Sequence, residues 1–595
     1  MREYSVPQSF TIPEDASMAD TVFRHAKDDP DFVAFQRPAR GGWEDVTAAQ
    51  FAAEVTAVAK GLIASGIEMG DRVAILSGTR YEWVVLDYAI WTAGGCTVAI
   101  YETSSPDQAQ WILEDSATVL LATETGKHAQ NLTAVTDAAE ALREVLVIED
   151  GALAELTRRG EAVTDSQLDE RRHQVRADSA ATLIYTSGTT GKPKGVQLTH
   201  ANFYAESAAC AIAFSDSMYK GRRTLMFLPL AHVFARAISF GAFDSKVTVG
   251  HTSDTTTLVE QFAVFKPNFV LSVPRVFEKV YNSAKQKAED GGKGKIFAKA
   301  TDTAIEFSKA SEKGSVPLGL KLKHALFDKL VYGKLRDALG GECDRAVSGG
   351  AALGSRLGHF FSGIGVPVYE GYGLTETSAA VTVNTSGARR IGTVGRPLEG
   401  HAAKIAEDGE LLVKGPVVFG GYWHNPDATA DAIRDGWFHT GDLGSIDEDG
   451  FVSITGRKKE IIVTAGGKNV APAVLEDALR AHPLISQCLV VGDGKPFIGA
   501  LVTLDEETLP GWKERNGLAA DVAFTELVKH ADLVAEIDAA IAEANTKVSN
   551  AEAIKKYRVL EADFTMETGE LTPTLKLKRN IIHQERATEI AAIYS

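Results

Sequence analysis

The stretch from Tyr185 to Gly195 concentrates groups that bind anions. In eleven residues it contains four Ser or Thr hydroxyls, three glycines and two lysines, and it follows the apolar run 181–184, which predicts a buried strand. Glycine allows tight turns that point backbone N–H groups at a ligand, and the hydroxyls and ammonium groups add further donors. The stretch therefore predicts a cradle for a polyphosphate. A simple surface turn is the alternative, and this density of donors disfavours it.

Two better-known phosphate motifs do not fit the sequence. A P-loop needs G-x-x-x-x-G-K-[S/T], whereas the first glycine after Gly188, Gly191, comes too early and Pro193 follows Lys192. A dinucleotide fingerprint would start at Gly371, but Glu376 stands where its last glycine belongs. The stretch is therefore a different kind of phosphate loop.

Three later stretches add groups suited to a nucleotide. The small residues 348–351 would allow a flat ring to approach closely. Tyr372 offers a ring for stacking, Thr375 a hydroxyl for phosphate, and Glu376 a hard oxygen ligand for Mg²⁺. Asp442 could accept hydrogen bonds from both hydroxyls of a ribose. Taken alone, the stretch around Tyr372 could also be a strand, a turn and a capped helix.

In this order along the chain, the stretches resemble the motifs of the adenylate-forming superfamily, which includes acyl-CoA synthetases, luciferases and peptide-synthetase adenylation domains. The residues 435–444 and 450–460 resemble the long signature of fatty-acyl-CoA synthetases, and 576–579 resembles the family's last motif. The resemblance covers nearly the whole chain and is greatest to bacterial long-chain acyl-CoA synthetases.

The resemblance implies roles for particular residues. Lys576, Glu376 and Thr375 would be catalytic, with Glu376 also the Mg²⁺ ligand. The contacts to ATP or AMP would come from Thr186, Ser187, Gly188, Thr189, Thr190, Lys194, Gly350, Ala351, Glu370, Gly371, Tyr372, Gly373, Asp442 and Arg457. The acyl and CoA channel would be lined by His232, Phe234, Arg236 and Gly349.

The sequence departs from the family pattern at two places, one at Arg236 and one just before Lys576. Arg236 stands where some bacterial relatives carry a tryptophan that gates the acyl chain, which puts that device in doubt here. Thr574 and Leu575 replace the usual Ser-Gly before the catalytic lysine, so Lys578 is the alternative to Lys576. A histidine on an apolar stretch, such as His232, can also be a core residue without a role in chemistry.

The pattern of apolar residues predicts a fold of the α/β and α+β classes. Alternating helical and strand periods from residue 51 to 101 indicate βαβ units and a mainly parallel sheet. The polar run 156–179 indicates a connector. The resemblance implies a large N-terminal adenylate-forming domain, 1–456, with a helical insertion at about 282–339, and a small mobile C-terminal domain, 457–595, that turns about Lys459.

Composition narrows the location and the partners. The net charge of −17 disfavours nucleic-acid binding, and four scattered cysteines suit a reducing cytosol. We expect no signal peptide and no membrane span, and hence a cytoplasmic protein. The segment from Leu318 to Leu339 is locally basic and amphipathic, which indicates either a helix lying on the inner face of a membrane or one packed on its own domain. A homodimer is left open.

The activity implied by the resemblance is ATP-dependent ligation of a long-chain fatty acid to coenzyme A through an acyl-AMP, with Mg²⁺ as cofactor. Two alternatives remain at this stage: an acyl-AMP ligase that passes the acyl group to a carrier protein, and a non-catalytic protein that binds acyl groups or nucleotides. In acyl-AMP ligases the extra insertion lies at another place in the chain than the helical insertion predicted here, which argues against the first alternative. The presence of Glu376, Asp442, Arg457 and Lys576 opposes the second.

Overall fold

The computed structural model describes residues 2–39, 41–186, 192–572 and 576–595. The strands are β1 (Glu3–Ser5), β2 (Val33–Ala39), β3 (Gly42–Thr47), β4 (Arg72–Leu76), β5 (Cys96–Ile100), β6 (Leu120–Thr123), β7 (Glu144–Val147), β8 (Ala180–Thr186), β9 (Lys194–Thr199), β10 (Arg223–Met226), β11 (Thr248–His251), β12 (Phe269–Ser272), β13 (Arg345–Ser348), β14 (Val368–Tyr372), β15 (Thr382–Val383), β16 (Arg396–Pro397), β17 (Ala402–Ile405), β18 (Glu410–Lys414), β19 (Gly421–Tyr422), β20 (Ile433–Arg434), β21 (Trp437–Ile446), β22 (Val452–Arg457), β23 (Ile462–Val463), β24 (Asn469–Val470), β25 (Ile485–Val491), β26 (Ile498–Leu504) and β27 (Ile554–Val559).

The α-helices are α1 (Asp20–Asp28), α2 (Ala48–Ala64), α3 (Tyr81–Thr92), α4 (Pro106–Ser116), α5 (Gly126–Asn131), α6 (Thr133–Ala138), α7 (Ala152–Gly160), α8 (Asp165–Arg172), α9 (His200–Ala213), α10 (Val233–Asp244), α11 (Leu258–Phe265), α12 (Pro274–Asp290), α13 (Gly294–Glu312), α14 (Leu318–Phe327), α15 (Gly333–Asp337), α16 (Ser355–Gly363), α17 (Pro426–Ala432), α18 (Pro472–Arg480), α19 (Leu509–Arg515), α20 (Phe524–Leu527), α21 (Ala531–Asn545), α22 (Arg579–Glu585) and α23 (Ala587–Tyr594). A π-helical turn, Asp328–Tyr332, joins α14 to α15, and Thr375–Thr377 and Lys458–Glu460 are 3₁₀ turns.

The predicted α/β class is confirmed by a seven-stranded sheet with the order β19-β9-β8-β5-β4-β6-β7. The strands β8, β5, β4, β6 and β7 are parallel, and every residue of β5 is buried. Strands buried on both faces carry continuous apolar runs, as this sequence does. The carboxyl ends of β8 and β5 therefore lie on one edge, where the phosphate loop begins.

A second sheet brings the other nucleotide stretches to the same region. β12, β13 and β14 pair in parallel, and the segments after β13 and β14 are the ones predicted to hold the nucleotide. A six-stranded sheet contains the hairpin β21–β22, which carries Asp442 and Arg457 in directly paired positions. The ends of three separate sheet segments thus position the predicted site.

The polar run 156–179, expected to be a connector, instead contains parts of the two helices α7 and α8. In α7, Leu156 and Gly160 are buried against α2. A Cβ on Gly61 of α2 would lie 2.0 Å from the backbone oxygen of Leu156, so the glycine lets the two helices cross closely. The expected connector was wrong because most residues of this run are charged and face solvent, and only a few, such as Leu156 and Gly160, make the contact with α2.

The helical segment predicted at about 282–339 begins earlier than expected. Pro274 is the first residue of α12. Proline suits the first helical turn because its missing N–H would have no partner there. Helices α12 to α15 then fill the segment up to Asp337.

The residues after Arg457 form a smaller α+β unit. Its three-stranded sheet, β25-β26-β27, is packed against α18 and α21, and its buried side chains form clusters separate from those of residues before it. Within the described residues, no helix has the length and apolarity needed to cross a membrane. The division at 456/457 stays a prediction.

The two parts meet along α12. Arg275 donates to Asp505 at 2.8 Å, and Lys279 pairs with Glu507 at 2.8 Å. These ion pairs join the smaller unit to α12 in the orientation that the structure shows.

Candidate active site

The predicted phosphate loop connects the two strands of a hairpin, β8 and β9. β8 and β9 are antiparallel, with Thr186 paired to Lys194. Tyr185 donates to the Asp115 carboxylate at 2.6 Å, and the Trp111 indole N–H donates to the Pro193 carbonyl at 2.8 Å. Of the predicted cradle, Ser187, Gly188, Thr189 and Thr190 lie outside the described residues. The two ends of the loop are therefore held by side chains that the motif itself does not contain.

Lys194 and Glu376 share a neighbour that the sequence did not reveal. The Tyr422 hydroxyl donates to the Glu376 carboxylate at 2.8 Å, and the Lys194 ammonium lies 5.1 Å from the centre of the Tyr422 ring. Burial raises the pKa of Glu376, so a cation beside this carboxyl would favour its charged form. A hard carboxylate oxygen next to a phosphate loop is a donor of the kind Mg²⁺ prefers. The only sequence signal for Tyr422 was its place after two glycines.

The residues on either side of Thr375 and Glu376 are held by close contacts with the rest of the larger part. A Cβ on Gly373 would lie 1.4 Å from the Ala379 carbonyl oxygen, so no other residue fits there. The buried Glu206 carboxylate accepts a hydrogen bond at 3.0 Å from the backbone N–H of Ala380. The contact with Glu206 could not be read from the motif, because Glu206 is on α9.

The predicted ribose site is a small hydrogen-bonded cluster. The buried Asp442 carboxylate accepts from the Tyr372 hydroxyl at 2.6 Å and from Nε of Arg457 at 3.1 Å. Its own backbone N–H donates to the Thr440 hydroxyl at 3.0 Å. These bonds hold the carboxylate in one orientation, as an acceptor for two hydroxyls needs.

The wall predicted to face the base follows β13. Gly350 has φ +83°, a conformation that favours glycine, and a Cβ on Gly349 would lie 2.8 Å from the Phe234 ring. The Glu370 carboxylate accepts from the backbone N–H of Leu353 at 2.9 Å. Glu370 thus ties down the segment that contains Gly350 and Ala351. Gly371 is equally confined, since a Cβ there would lie 3.2 Å from the Thr382 carbonyl oxygen.

His232 caps the start of α10. Its Nδ1 accepts from the backbone N–H of Phe234 at 3.2 Å. Burial, with a smaller effect of the Lys576 charge, lowers the pKa of His232 to about 3, so the imidazole is neutral.

Arg236 lies in the core and not along an open channel. Its guanidinium pairs with Asp87 and donates to the Thr182 hydroxyl at 2.6 Å. Both partners of the ion pair are almost fully buried, and the guanidinium lies 5.1 Å from the centre of the Trp91 ring and 5.2 Å from that of Trp83. The position occupied by a gate in some relatives is here a buried structural ion pair.

Lys576 reaches the site from the smaller unit. Burial of the ammonium and the charge of Arg457 lower its pKa to about 8, against the opposing effect of Asp442 and Glu460. The residue as a whole is nevertheless exposed to solvent. Residues 573–575, in the motif before it, lie outside the described residues. The alternative, Lys578, directly precedes α22.

The predicted hinge lies between two anchored neighbours. Lys458 pairs with Asp408 and Glu410 of the larger part, and Glu460 pairs with Arg579 of the smaller one. Lys459 between them is exposed. A hinge at Lys459 stays a prediction, but the pattern of anchors favours it.

Asp442 with Tyr372 and Arg457, and Glu376 with Tyr422, lie beside the phosphate-loop hairpin, and Lys576 comes from the smaller unit. This set of residues is the one expected of an adenylate-forming enzyme. The chain belongs to the AMP-binding enzyme family: the profile of the AMP-binding enzyme matches residues 22–423, and that of the AMP-binding enzyme C-terminal domain matches residues 459–595. The predicted family is thereby confirmed.

Relatives and solved structures agree with this assignment. The chain is 56% identical over 598 residues, covering 100% of both sequences, to the long-chain-fatty-acid–CoA ligase FadD15 of Mycobacterium tuberculosis. Its fold is similar to that of the anthranilate CoA ligase AuaEII in complex with anthranoyl-AMP, with a TM-score of 0.73, 19% identity, and coverage of 98% of this chain and 99% of the other. It is also similar to the o-succinylbenzoate CoA synthetase of Bacillus subtilis in complex with ATP and magnesium ion, with a TM-score of 0.66, 22% identity, and coverage of 94% and 98%.

Proposed function

We propose that the protein joins a long-chain fatty acid to coenzyme A at the expense of ATP, through an enzyme-bound acyl-AMP. The observation that carries the proposal is the pair of clusters in which Asp442 is bonded to Tyr372 and Arg457, and Glu376 is bonded to Tyr422 beside Lys194. The choice of a long-chain acid and of CoA is supported by the full-length similarity to FadD15.

In the first half-reaction, a carboxylate oxygen of the fatty acid attacks the α-phosphorus of ATP. The bond from that phosphorus to the bridging oxygen breaks, pyrophosphate leaves, and the acyl-AMP mixed anhydride remains. Two anions must approach each other in this step, so a fixed cation between them lowers the barrier. Lys576 is the residue we assign to that position, with Lys194 on the departing pyrophosphate.

In the second half-reaction, the CoA thiolate attacks the acyl carbon and AMP leaves with the electrons of the broken C–O bond. Asp442, held by Tyr372 and Arg457, would keep the ribose in place through both steps. Because Nδ1 of the neutral His232 accepts from Phe234, its proton is on Nε2, which can donate one hydrogen bond without adding charge. Catalysis then rests on position and charge, with no covalent enzyme intermediate.

The residues present fit Mg²⁺ at Glu376. The carboxyl is crowded by protein, which favours a cation partner, and it faces Tyr422 beside Lys194. Bound there, Mg²⁺ would neutralise phosphate charge. We extend the proposal, in which CoA is the acyl acceptor, to a peripheral contact with membranes. The leucines and lysines of α14 and the turn after it form the surface for this contact.

Release of AMP tests the proposal against a panel of carboxylic acids from acetate to oleate, each with MgATP and with or without CoA. We expect AMP formation that depends on CoA and rises towards long acids. Pyrophosphate release without any response to CoA would instead indicate an acyl-AMP ligase for a carrier protein. No exchange of pyrophosphate into ATP with any acid would contradict the proposal.

A further inference from the structure

Four leucines in the inserted helical segment face outward, against the usual placement of large apolar side chains. Leu318, Leu322, Leu326 and Leu330 are 73%, 67%, 56% and 53% exposed. They recur every four residues along α14 and into the π-helical turn, and residues four apart lie on one side of a helix. They therefore form a continuous apolar ridge, which we call the leucine ridge. Contiguous exposed apolar surface of this kind marks an interaction site.

The helix below the ridge is firmly attached to the protein by its other face. Phe327 is buried, and the His324 Nε2 lies 2.6 Å from the carbonyl oxygen of Gly363 at the end of α16. The His324 ring also stacks on Phe307 at 3.9 Å. The inward side of α14 is thus already occupied by its own domain, so the ridge is a second face without a partner in the described residues.

Lysines border the ridge on both sides. Lys321 and Lys323 are exposed on α14, and Lys329 and Lys334 are exposed on the continuation of the segment. On an ideal helix with 100° per residue, Lys321 lies on one side of Leu322 and Leu326 and Lys323 on the other. Asp328, an acid in this stretch, is engaged with Arg336 at 2.7 Å. The surface is cationic although the chain carries a net charge of −17.

This combination selects the kind of partner. A second copy of the chain would bring an acidic molecule against another acidic molecule, with leucines facing lysines at the borders. An anionic bilayer matches both features, because leucines can enter the zone between headgroups and acyl chains while lysines reach the lipid phosphates. The length of α14, ten residues, suits a helix that lies in the surface and cannot cross it.

We propose that the leucine ridge docks the protein on anionic lipid membranes. The use of this docking rests on the proposed function, since long-chain fatty acids partition into bilayers and would be collected there. The docking itself depends only on the ridge and its lysines. The helix α16, which His324 of α14 contacts at Gly363, follows the segment predicted to face the nucleotide.

Cosedimentation with vesicles tests the proposal, using the full chain and vesicles of phosphatidylcholine with or without phosphatidylglycerol. We expect binding to the phosphatidylglycerol vesicles at low salt. Leu322→Ser with Leu326→Ser should weaken that binding at least tenfold, because two inserted side chains are lost. The substitutions Lys321→Gln, Lys323→Gln, Lys329→Gln and Lys334→Gln should weaken vesicle binding by on the order of fivefold per lysine at low salt and much less at high salt.

A matched control comes from another exposed apolar pair. Val259 and Val264 on α11 are 44% and 62% exposed, and Val259→Ser with Val264→Ser should leave vesicle binding unchanged. Absence of binding by the parent protein would overturn the proposal, as would equal binding by the leucine variant. A parent dimer that becomes a monomer on Leu322→Ser with Leu326→Ser, without any change in vesicle binding, would make the ridge a self-association face and also overturn it.

The same samples separate this proposal from the proposed function. Ligation of fatty acid supplied in detergent should be the same in the leucine variant and in the parent, because the ridge is outside the site. Normal vesicle binding without ligation would contradict the function alone. Normal ligation without vesicle binding would contradict the docking alone.

Discussion

Lys576 is the residue on which the proposed chemistry depends most. We expect Lys576→Ala to slow acyl-AMP formation by about 10²- to 10³-fold, the usual effect of removing one preorganised charged group. The conversion of supplied acyl-AMP and CoA to thioester should be nearly unaffected, because we expect the smaller unit to turn Lys576 out of the site for that step. Single-turnover assays of each half-reaction measure the two effects separately.

Lys578→Ala is the matched control, since Lys578 is the alternative lysine of the motif. A loss confined to Lys578→Ala would move the catalytic role by two residues. The pH profile gives a second readout: burial lowers the pKa of Lys576 to about 8, so kcat/KM for ATP should fall as pH rises above that value, where the cation is lost. A flat profile from pH 7 to 9 would contradict the lowered pKa of Lys576.

Arg236 allows a test between a gate and a structural role. Asp87→Asn leaves the buried guanidinium without its counter-ion, and breaking such a pair costs about 3–5 kcal/mol. We expect a clearly lower melting temperature, with partial recovery when Asp87→Leu is combined with Arg236→Met. An unchanged melting temperature with an altered preference for acyl chain length would instead support a gating role.

At the scale of elements, the contact of α12 with the smaller unit sets the orientation in which Lys576 enters the cleft. Arg275 and Asp505 form a partly exposed pair at 2.8 Å, and such pairs contribute about 0.2–1 kcal/mol. Asp505→Arg replaces attraction by repulsion and should slow acyl-AMP formation about two- to tenfold. The swap Arg275→Asp with Asp505→Arg should restore the rate. If the swap is as slow as the single variant, the pair does not control the orientation.

The elements also show how far the sequence alone could lead. The strands around β5 were predictable, because apolar runs are local signals, and dense glycine and hydroxyl residues are the local signal on which the predicted phosphate loop rests. The helices α7 and α8 were not, since α7 depends on a close crossing at Gly61 that only the folded chain reveals. For the same reason Tyr422 escaped prediction: it is distant in sequence from Glu376 and Lys194, and only the fold brings the three together.

Motif order predicted the family and the fold, and both are confirmed. The assignment of Arg236 to the acyl channel came from its position in a motif alone. Its environment depends on Asp87 and on the rings of Trp83 and Trp91, which lie about 150 residues away in sequence. Long-range charge pairing of this kind leaves no trace in a local pattern.

At the scale of the whole molecule, the two half-reactions demand two placements of the smaller unit. Lys279 and Glu507 are exposed across the interface, and the four native cysteines are buried. Lys279→Cys with Glu507→Cys, joined by a bismaleimide, should fix the observed orientation. We expect the joined protein to form acyl-AMP once and to transfer almost no acyl group to CoA.

The single-cysteine variants, treated in the same way, should turn over normally. Normal thioester formation by the joined protein would contradict alternation of the two units. Loss of acyl-AMP formation after joining would mean that the observed orientation is not the adenylating one.

The most direct test of the central claim is a single-turnover experiment with the unmodified protein, oleate and MgATP, quenched and analysed before and after CoA is added. We predict about one pyrophosphate per protein and bound oleoyl-AMP before CoA, followed by equal amounts of oleoyl-CoA and AMP after it. Pyrophosphate release without oleoyl-AMP, or oleoyl-AMP that CoA leaves unchanged, would contradict the account.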